Sequence, residues 1–433
     1  MTSTVINQDL FTAAVEGLPP GQLSSHRSDA AKLFSVTGFP TARDEDWKYT
    51  RLDGAADLSN DWLASLAQHS TSTEASVMLT DAQLAPTQSI NADWIIVHNG
   101  IVDAAALGQL KLPTGVNVSL IGEDSEHLAL TTDSPMSAFN AALLTDGLRV
   151  RVANNVAVKK PLGFLMVDDD RSRVTQIRVV LELGDNAALR VVECALSSGV
   201  GPTFTNSVTQ LQLAEGSKLD FLRLQNHALD HISTNRFVAN IDKDATFTHN
   251  NFDFGGDLTR NDIVAIIEGA GASVNLAGLY LASGAQHIDN HTRVEHRVGP
   301  AVSHEEYRGI LNGKSRCVFN GQAVVFEGAD GTDANQANHN LLLSDQAEID
   351  TKPELEIYAD DVKCSHGATV GQLDETALFY LRSRGLDTTE ARRLLTQAFA
   401  ANILNLLAID EAREYVKLQL DERVASLLGD ERT

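Results

Sequence analysis

The sequence predicts a mainly β protein: a parallel β-helix core flanked by α-helical regions at both ends. Three observations predict it. From about residue 94 to Gly371 the chain reads as short alternating apolar and polar runs punctuated by Gly, Asn and Asp, the texture of half-buried strands. Within that stretch a unit recurs every 27 to 30 residues, the mark of stacked supersecondary repeats. On either side the apolar residues change to helical spacing. The implied division is an N-terminal helical domain with a linker over 1–90, the β-helix over 91–371 and a C-terminal helical domain over 372–433.

The N-terminal elements are short. Asp9 to Glu16 is a helix candidate that Pro19 and Pro20 stop. Ser28 to Val36 carries Ala30, Ala31, Leu33 and Phe34 at helical spacing and meets a terminator at Gly38. Pro40 to Leu52 mixes charges with Trp47 and Tyr49. His69 to Ser89, rich in Ser, Thr, Gln and Ala, reads as a loop or linker.

Strand texture then begins with WIIVHNGIV, VNVSLI and LRVRVA. The repeat is clearest in LELGDNAALRV from Leu181, LQLAEGSKLDF from Leu211, ANIDKDATFTH from Ala239 and AIIEGAGASVNL from Ala265. Each has a strand, a turn with acidic or Gly residues, a small residue and a second strand. The small residues, Ala187, Ser217, Ala245 and Ala272, are 30, 28 and 27 residues apart. Hairpins of a β-sandwich would recur every 8 to 12 residues or so, so the spacing favours a solenoid whose coils hydrogen-bond to one another and whose ends need caps.

After Gly371, Glu375 to Arg384 reads as a helix stopped by Gly385. Asp387-Thr-Thr-Glu390 has the form of a capping box. Ala391, Leu394, Leu395, Ala398 and Phe399 give the next helix its apolar face, and a last helix runs through Tyr415, Val416, Leu420, Val424 and Leu427.

Of 433 residues, 43% are hydrophobic and 21% charged, enough for a sizeable core. Acidic residues outnumber basic ones 58 to 34, a net charge of -24 that disfavours nucleic acid and anionic membrane as partners. Cys194, Cys317 and Cys364 are few and widely spaced, which points to a reducing compartment and not to a disulfide framework. With no basic patch and apolar run at Met1 to Phe11, the expectation is a cytoplasmic protein.

Two groups of residues can carry chemistry. Cys364 and His366 in DDVKCSHGAT are two apart and so share one face of a strand. Thiolate and imidazole there can hold a soft metal or form a Cys–His nucleophile, or Cys364 can simply pack as a small hydrophobe. His287, Asp289 and His291 also alternate, with His296 and His304 nearby, and suit either a borderline metal site or a polar, solvated strand face. His339 in NQANHN fits asparagine ladders between coils better than ligation. No GxGxxG after a strand, no GxxxxGK[ST] and no GxSxG is present, so neither ATP hydrolysis nor acyl transfer is indicated.

QANHNLLLSDQAEIDTKPELEIYADDVKCSHGATVGQLDETALFYLRSRGLDTTEARRLLTQAFA, Gln336 to Ala400, strongly resembles the C-terminal signature of the SufB/SufD family. HIDNHTRVEH and YRGILNGKSRCVFNG resemble it as well, and the likeness runs over about 285–402. RDEDWKYTRL, Arg43 to Leu52, is similar to the N-terminal hallmark of the SufD branch; SufB subunits are longer and lack it.

The resemblance implies N-terminal helices, a right-handed parallel β-helix and a C-terminal helical domain. It implies a non-catalytic scaffold in the SufBCD iron–sulfur cluster assembly complex, a heterodimer with SufB that carries two copies of the ATPase SufC. It places His366, with Cys364 beside it, at the cluster-forming SufB–SufD interface, where iron or a transient cluster is shared with SufB. Reduced FAD is associated with the family's complex, although this chain has no flavin motif. The aromatic pair Phe379-Tyr380, with Leu381, Arg384 and Gly385, is the expected ATPase-docking unit, and an uncapped β-helix end near Cys364 would give a homodimer when the chain is isolated. A competing function for a β-helix is a polysaccharide-active enzyme, which would need clustered carboxylates or Arg in a groove and a secreted chain. A third is a plain structural solenoid in which His366 and Cys364 are dispensable.

Overall fold

A computed structural model describes residues 5–68, 79–123, 128–169, 171–199 and 201–429. Its strands, in chain order, are β1 (Asp93–His98), β2 (Ile101–Val102), β3 (Val116–Leu120), β4 (Leu148–Val152), β5 (Leu162–Asp168), β6 (Val174–Leu183), β7 (Ala188–Ser197), β8 (Thr203–Leu213), β9 (Lys218–Asn226), β10 (His231–Ile241), β11 (Thr246–Asp253), β12 (Leu258–Ile267), β13 (Ser273–Ala282), β14 (His287–His296), β15 (Val302–Leu311), β16 (Arg316–Val325), β17 (Asp333–Leu342), β18 (Glu348–Ile357) and β19 (Lys363–Gly371). From β4 onward successive strands alternate between two sheets, odd-numbered strands in one and even-numbered in the other, and every coil-to-coil pairing is parallel. This is the expected parallel β-helix. Inward residues stack in register: Leu189, Leu219, Phe247 and Val274 form one column of the lumen, and all are buried. Each such aliphatic or aromatic side chain contributes roughly 1.5–3 kcal/mol by leaving water.

The repeat has a backbone cause. At four successive bends from an even to an odd strand, β6–β7 to β12–β13, one residue is left-handed: Asn186 (φ 53°), Gly216 (φ 67°), Asp244 (φ 56°) and Gly271 (φ 80°). That conformation is cheap only for Gly, Asn and Asp. It turns the N–H toward the next coil, where Asn186 donates to the Glu215 carbonyl at 2.8 Å and Asp244 to that of Ala270 at 2.9 Å. The following residue is the small one, buried at the corner, and its carbonyl accepts from the next coil: Ala187 from Lys218 at 2.8 Å, Ser217 from Thr246 at 2.8 Å and Ala245 from Ser273 at 2.9 Å. The ladder therefore continues around the bend.

Helices cover the outer faces. At the N-terminal end α1 (Gln8–Gly17), α2 (Ser24–Thr37), α3 (Asp53–Gln68), α4 (Asp81–Ser89), α5 (Ala104–Leu107) and α6 (Pro135–Ala142) occur among the described residues. Phe11, Phe34, Phe39 and Phe139 form an aromatic cluster that packs on Val174, Phe204 and Ile232 of the even sheet. After the last strand come α7 (Glu375–Ser383), α8 (Thr388–Asn405) and α9 (Asp410–Leu427). Ile403, Val416, Leu420 and Val424 seal the outer face of the odd sheet over Leu222, Leu224, Phe252 and Leu279. Asp387 and Glu390 form the reciprocal cap of α8, at 2.8 and 3.0 Å. No described helix is long and apolar enough to cross a membrane.

Three readings change. Of the expected linker, residues 69–78 lie outside the described residues, while 81–89 is α4, started by a Thr80–Gln83 capping box that a composition-based reading overlooks. The helix α3 was not anticipated. Nor was α6, an almost wholly buried helix of about two turns inside a stretch read only as strands.

Candidate functional site

The coil formed by β18 and β19 is the last: each is the terminal strand of its sheet, and among the described residues neither strand contributes to the apolar clusters that the helices form on the outer faces of the two sheets. Along β19 the side chains alternate. Ser365 Oγ donates to Asn335 Oδ1 at 2.6 Å, and Thr369 Oγ1 lies 2.8 Å from His339 Nδ1, both on the outer face. Cys364 and His366 occupy the alternate positions, in register with the buried Ala334 and Gln336. They share the inward side at the open mouth of the lumen. Cys364 is half-buried and His366 exposed. Burial pushes the Cys364 thiol up, the Ala334 backbone opposes this and Asp333 adds to it. A thiol held protonated is a poor nucleophile, so the Cys–His nucleophile loses support and the imidazole is the better-presented ligand.

The alternating histidines of β14 have another purpose. His287, Asp289 and His291 do face one way, but they face the segment Glu45–Thr50, which crosses the outer side of the even sheet. The Thr50 hydroxyl donates to Asp289 Oδ2 and lies 2.7 Å from His287 Nε2, which is left to donate to it. His291 Nε2 is 3.1 Å from Asp289 Oδ1. The cation at this spot is Arg260, 2.5 Å from Asp289 Oδ2, also donating to the Asp46 carbonyl at 2.8 Å and stacked on Trp47 at 4.4 Å. Burial alone would raise the Asp289 carboxyl, but Arg260 and His291 hold it well below the usual carboxylate range. Tyr49 lies under Arg316 at 5.8 Å. The expected solvated face is therefore a buried clamp, and the hydroxyl and guanidinium fill the place a metal would take. Among the described residues no three His, Cys, Asp or Glu side chains converge as metal ligands. His296 is buried against Ser303, its imidazole pushed down to about 4 by burial.

The amide run near His339 also differs from expectation. Asn338 and Asn340 bond the Tyr280 hydroxyl at 3.1 and 2.6 Å, and the true asparagine ladder is Asn235–Asn261–Asn290 at 3.1 and 2.8 Å.

On the C-terminal side, Phe379 and Tyr380 are 73% and 55% exposed although they sit on a helix. Arg384 stacks on Tyr380 at 5.2 Å. Gly385 (φ 101°) ends the helix in a conformation that other residues resist. With Leu381 half-buried beneath, this makes a rigid aromatic knuckle between α7 and α8.

Two family models match and together span nearly the whole chain: the SufBD protein N-terminal region over residues 9–164, and the SufBD core domain of the SUF system for FeS cluster assembly over 164–399. The chain belongs to the SufBD family. Within it the chain is SufD-like: it is 31% identical over 400 residues to the iron-sulfur cluster assembly protein SufD of Escherichia coli (strain K12), covering 90% of each chain. A SufBD family protein of Synechocystis is 29% identical over 92% of this chain and 90% of its own. One from Mycobacterium tuberculosis (strain H37Rv) is 27% identical over 98% of both. A role in SUF iron–sulfur cluster assembly follows for this SufBD protein. Sequence reasoning overlooked two interior features, the Arg223 network and the Glu305 column described below; the alternation of VSHEEYRGIL was visible, but not which of its faces is inside.

Proposed function

We propose that this SufD-like chain is the non-catalytic scaffold that pairs with SufB, docks the SufC ATPase and holds iron or a nascent cluster, as cargo, at the SufB–SufD interface. The observation that carries the reading is the bare terminal coil. An unpaired strand edge with an imidazole at its mouth is a template for a second β-helix and a ligand for what forms between them. The same edge gives an isolated chain a surface for pairing with a second copy. Three free thiols suit the cytoplasm. For reduced FAD the fit is poor: the strand-to-helix junctions before Ala104 and Glu375 carry no glycine-rich turn for a pyrophosphate, so no step is assigned to it. The polysaccharide reading loses ground because charges on the even sheet's outer face are paired, Arg236 with Asp133 at 2.5 Å and Lys352 with Glu354 at 2.9 Å.

The test is metal loading of purified complexes. His366→Ala removes an exposed ligand without opening a core cavity, so assembly with SufB and SufC survives while bound iron and sulfide after reconstitution fall several-fold. Cys364→Ser has a milder effect, because a hydroxyl keeps the shape. Full loading of the His366→Ala complex overturns the role of this residue. Separately, Phe379→Ala with Tyr380→Ala abolishes SufC co-purification and leaves the β-helix folded, since both rings face solvent. SufC retained at wild-type affinity would move the docking site elsewhere.

A further inference from the structure

Near the open end, one inward column of the odd sheet changes from apolar to polar. Leu276, Glu305, Gln336 and His366 stand in register on β13, β15, β17 and β19. Glu305 is 4% exposed. Its Oε2 accepts from Gln336 Nε2 at 2.8 Å. Its Oε1, on the side of Thr292 from the even sheet, has no partner of normal hydrogen-bond geometry. Gln336 Oε1 and the Tyr307 hydroxyl are likewise buried without partners, and the Thr292 hydroxyl faces Glu305 closely enough to favour its ionised form without closing a hydrogen bond of normal geometry. Among the described residues no Lys, Arg or His pairs with Glu305; the titratable groups sharing this part of the lumen are Tyr307, Tyr280, Cys317 and Asp253.

The arrangement has a built-in space. Gly321 faces the lumen on β16, and a Cβ there would lie 2.3 Å from Gln336 Nε2. The missing side chain lets the Gln336 amide lie across the lumen onto Glu305. A buried carboxylate without a counter-charge and several unmatched oxygens are each unfavourable, and one small cation satisfies them together. Carboxylate, amide carbonyl and hydroxyl oxygens are hard donors, suited to ions such as ferrous iron, Mn2+ or Mg2+.

We infer that Glu305, Thr292 and Gln336 form a buried holding site for a small divalent cation, inside the lumen beneath the coil that carries His366. One formal charge among neutral oxygens gives weak, exchangeable binding, suited to holding an ion in transit. Gln336 is the side chain of this column that separates the site from the edge. The site needs only this chain, so it stands or falls independently of the partners proposed above.

The test is titration of the full-length chain, stripped of metal by chelation, with Mn2+ at pH 7.5, with free Mn2+ read by its paramagnetic resonance signal. Wild type binds one ion per chain. Glu305→Gln, which keeps the shape and the Gln336 contact, loses it or binds at least ten-fold more weakly. Gly321→Ala, which displaces the Gln336 amide, also weakens it while the circular dichroism stays that of wild type. His366→Ala retains it. Wild type that binds no Mn2+, or Glu305→Gln that binds as wild type does, overturns the site and leaves Glu305 a lumen residue with no ion to hold. An ion lost with His366→Ala and kept with Glu305→Gln belongs to the edge and overturns it equally.

Discussion

Replacing Arg223 with methionine lowers the unfolding free energy by about 3–5 kcal/mol, read as an earlier midpoint in urea at pH 7.5. Arg223, on β9, is 1% exposed inside the lumen. It donates to Glu193 at 3.0 Å, to Asp253 at 3.2 Å and to Asn235 at 2.9 Å. Asp253 also accepts from Asn251 and Asn261, at 2.6 and 2.8 Å, so the ion pairs lie inside a closed amide network. Burial pushes the Glu193 and Asp253 carboxyls up, and Arg223 opposes it in both. Without the guanidinium two carboxylates are left buried and uncompensated. They then take up protons more readily, so the deficit shrinks as the pH falls toward 5. Neutralising all three positions together, Glu193→Gln, Arg223→Met and Asp253→Asn, recovers most of the loss, because no charge remains to be left alone. A single-variant loss under about 1 kcal/mol would mean that water reaches this part of the lumen.

Glu305→Gln works in the opposite direction. In chelator, the variant is more stable than wild type above pH 7 by up to roughly 3 kcal/mol and equal to it near pH 4. Burial raises the Glu305 carboxyl from 4.5 to about 7, and Thr292 and Gln336 only partly offset it. The folded state therefore holds the proton over a range in which the unfolded chain has lost it. The stability linked to this group is fully present below the unfolded value and is lost as pH rises through about 7. Glutamine mimics the protonated form and does not titrate. Urea midpoints of the two proteins between pH 4 and 9 measure the divergence; parallel curves would show that Glu305 meets a counter-charge or solvent.

The solenoid was legible because its repeat is a backbone requirement. Asn186, Gly216, Asp244 and Gly271 tolerate a left-handed turn, and the small residue after each leaves its mark at these four successive bends. The helices after Gly371 were legible through Gly385 and the Asp387–Glu390 cap. The helix α6 was not, because Met136, Phe139 and its alanines are buried almost all round and show no polar face to set a period. Cys364 and His366 could be put on one face from their spacing, but nothing in that spacing tells inside from outside; the Ser365–Asn335 and His339–Thr369 bonds do. The β14 histidines misled for a related reason. Their partner, Thr50, is 239 residues away from Asp289.

That separation has a consequence in time. The segment Glu45–Thr50 leaves the ribosome early, yet Arg260, Asp289 and Lys352, which receive it, do not exist until far later. At synthesis rates of roughly 5–20 residues per second, Thr50 waits on the order of 10–50 seconds for Asp289. During that interval Thr50 lacks its carboxylate, while Trp47 already has the cluster of Phe39, Phe204 and Ile232 to join. The nascent chain thus carries this segment unclamped until β14 has been made, and the clamp cannot close before then.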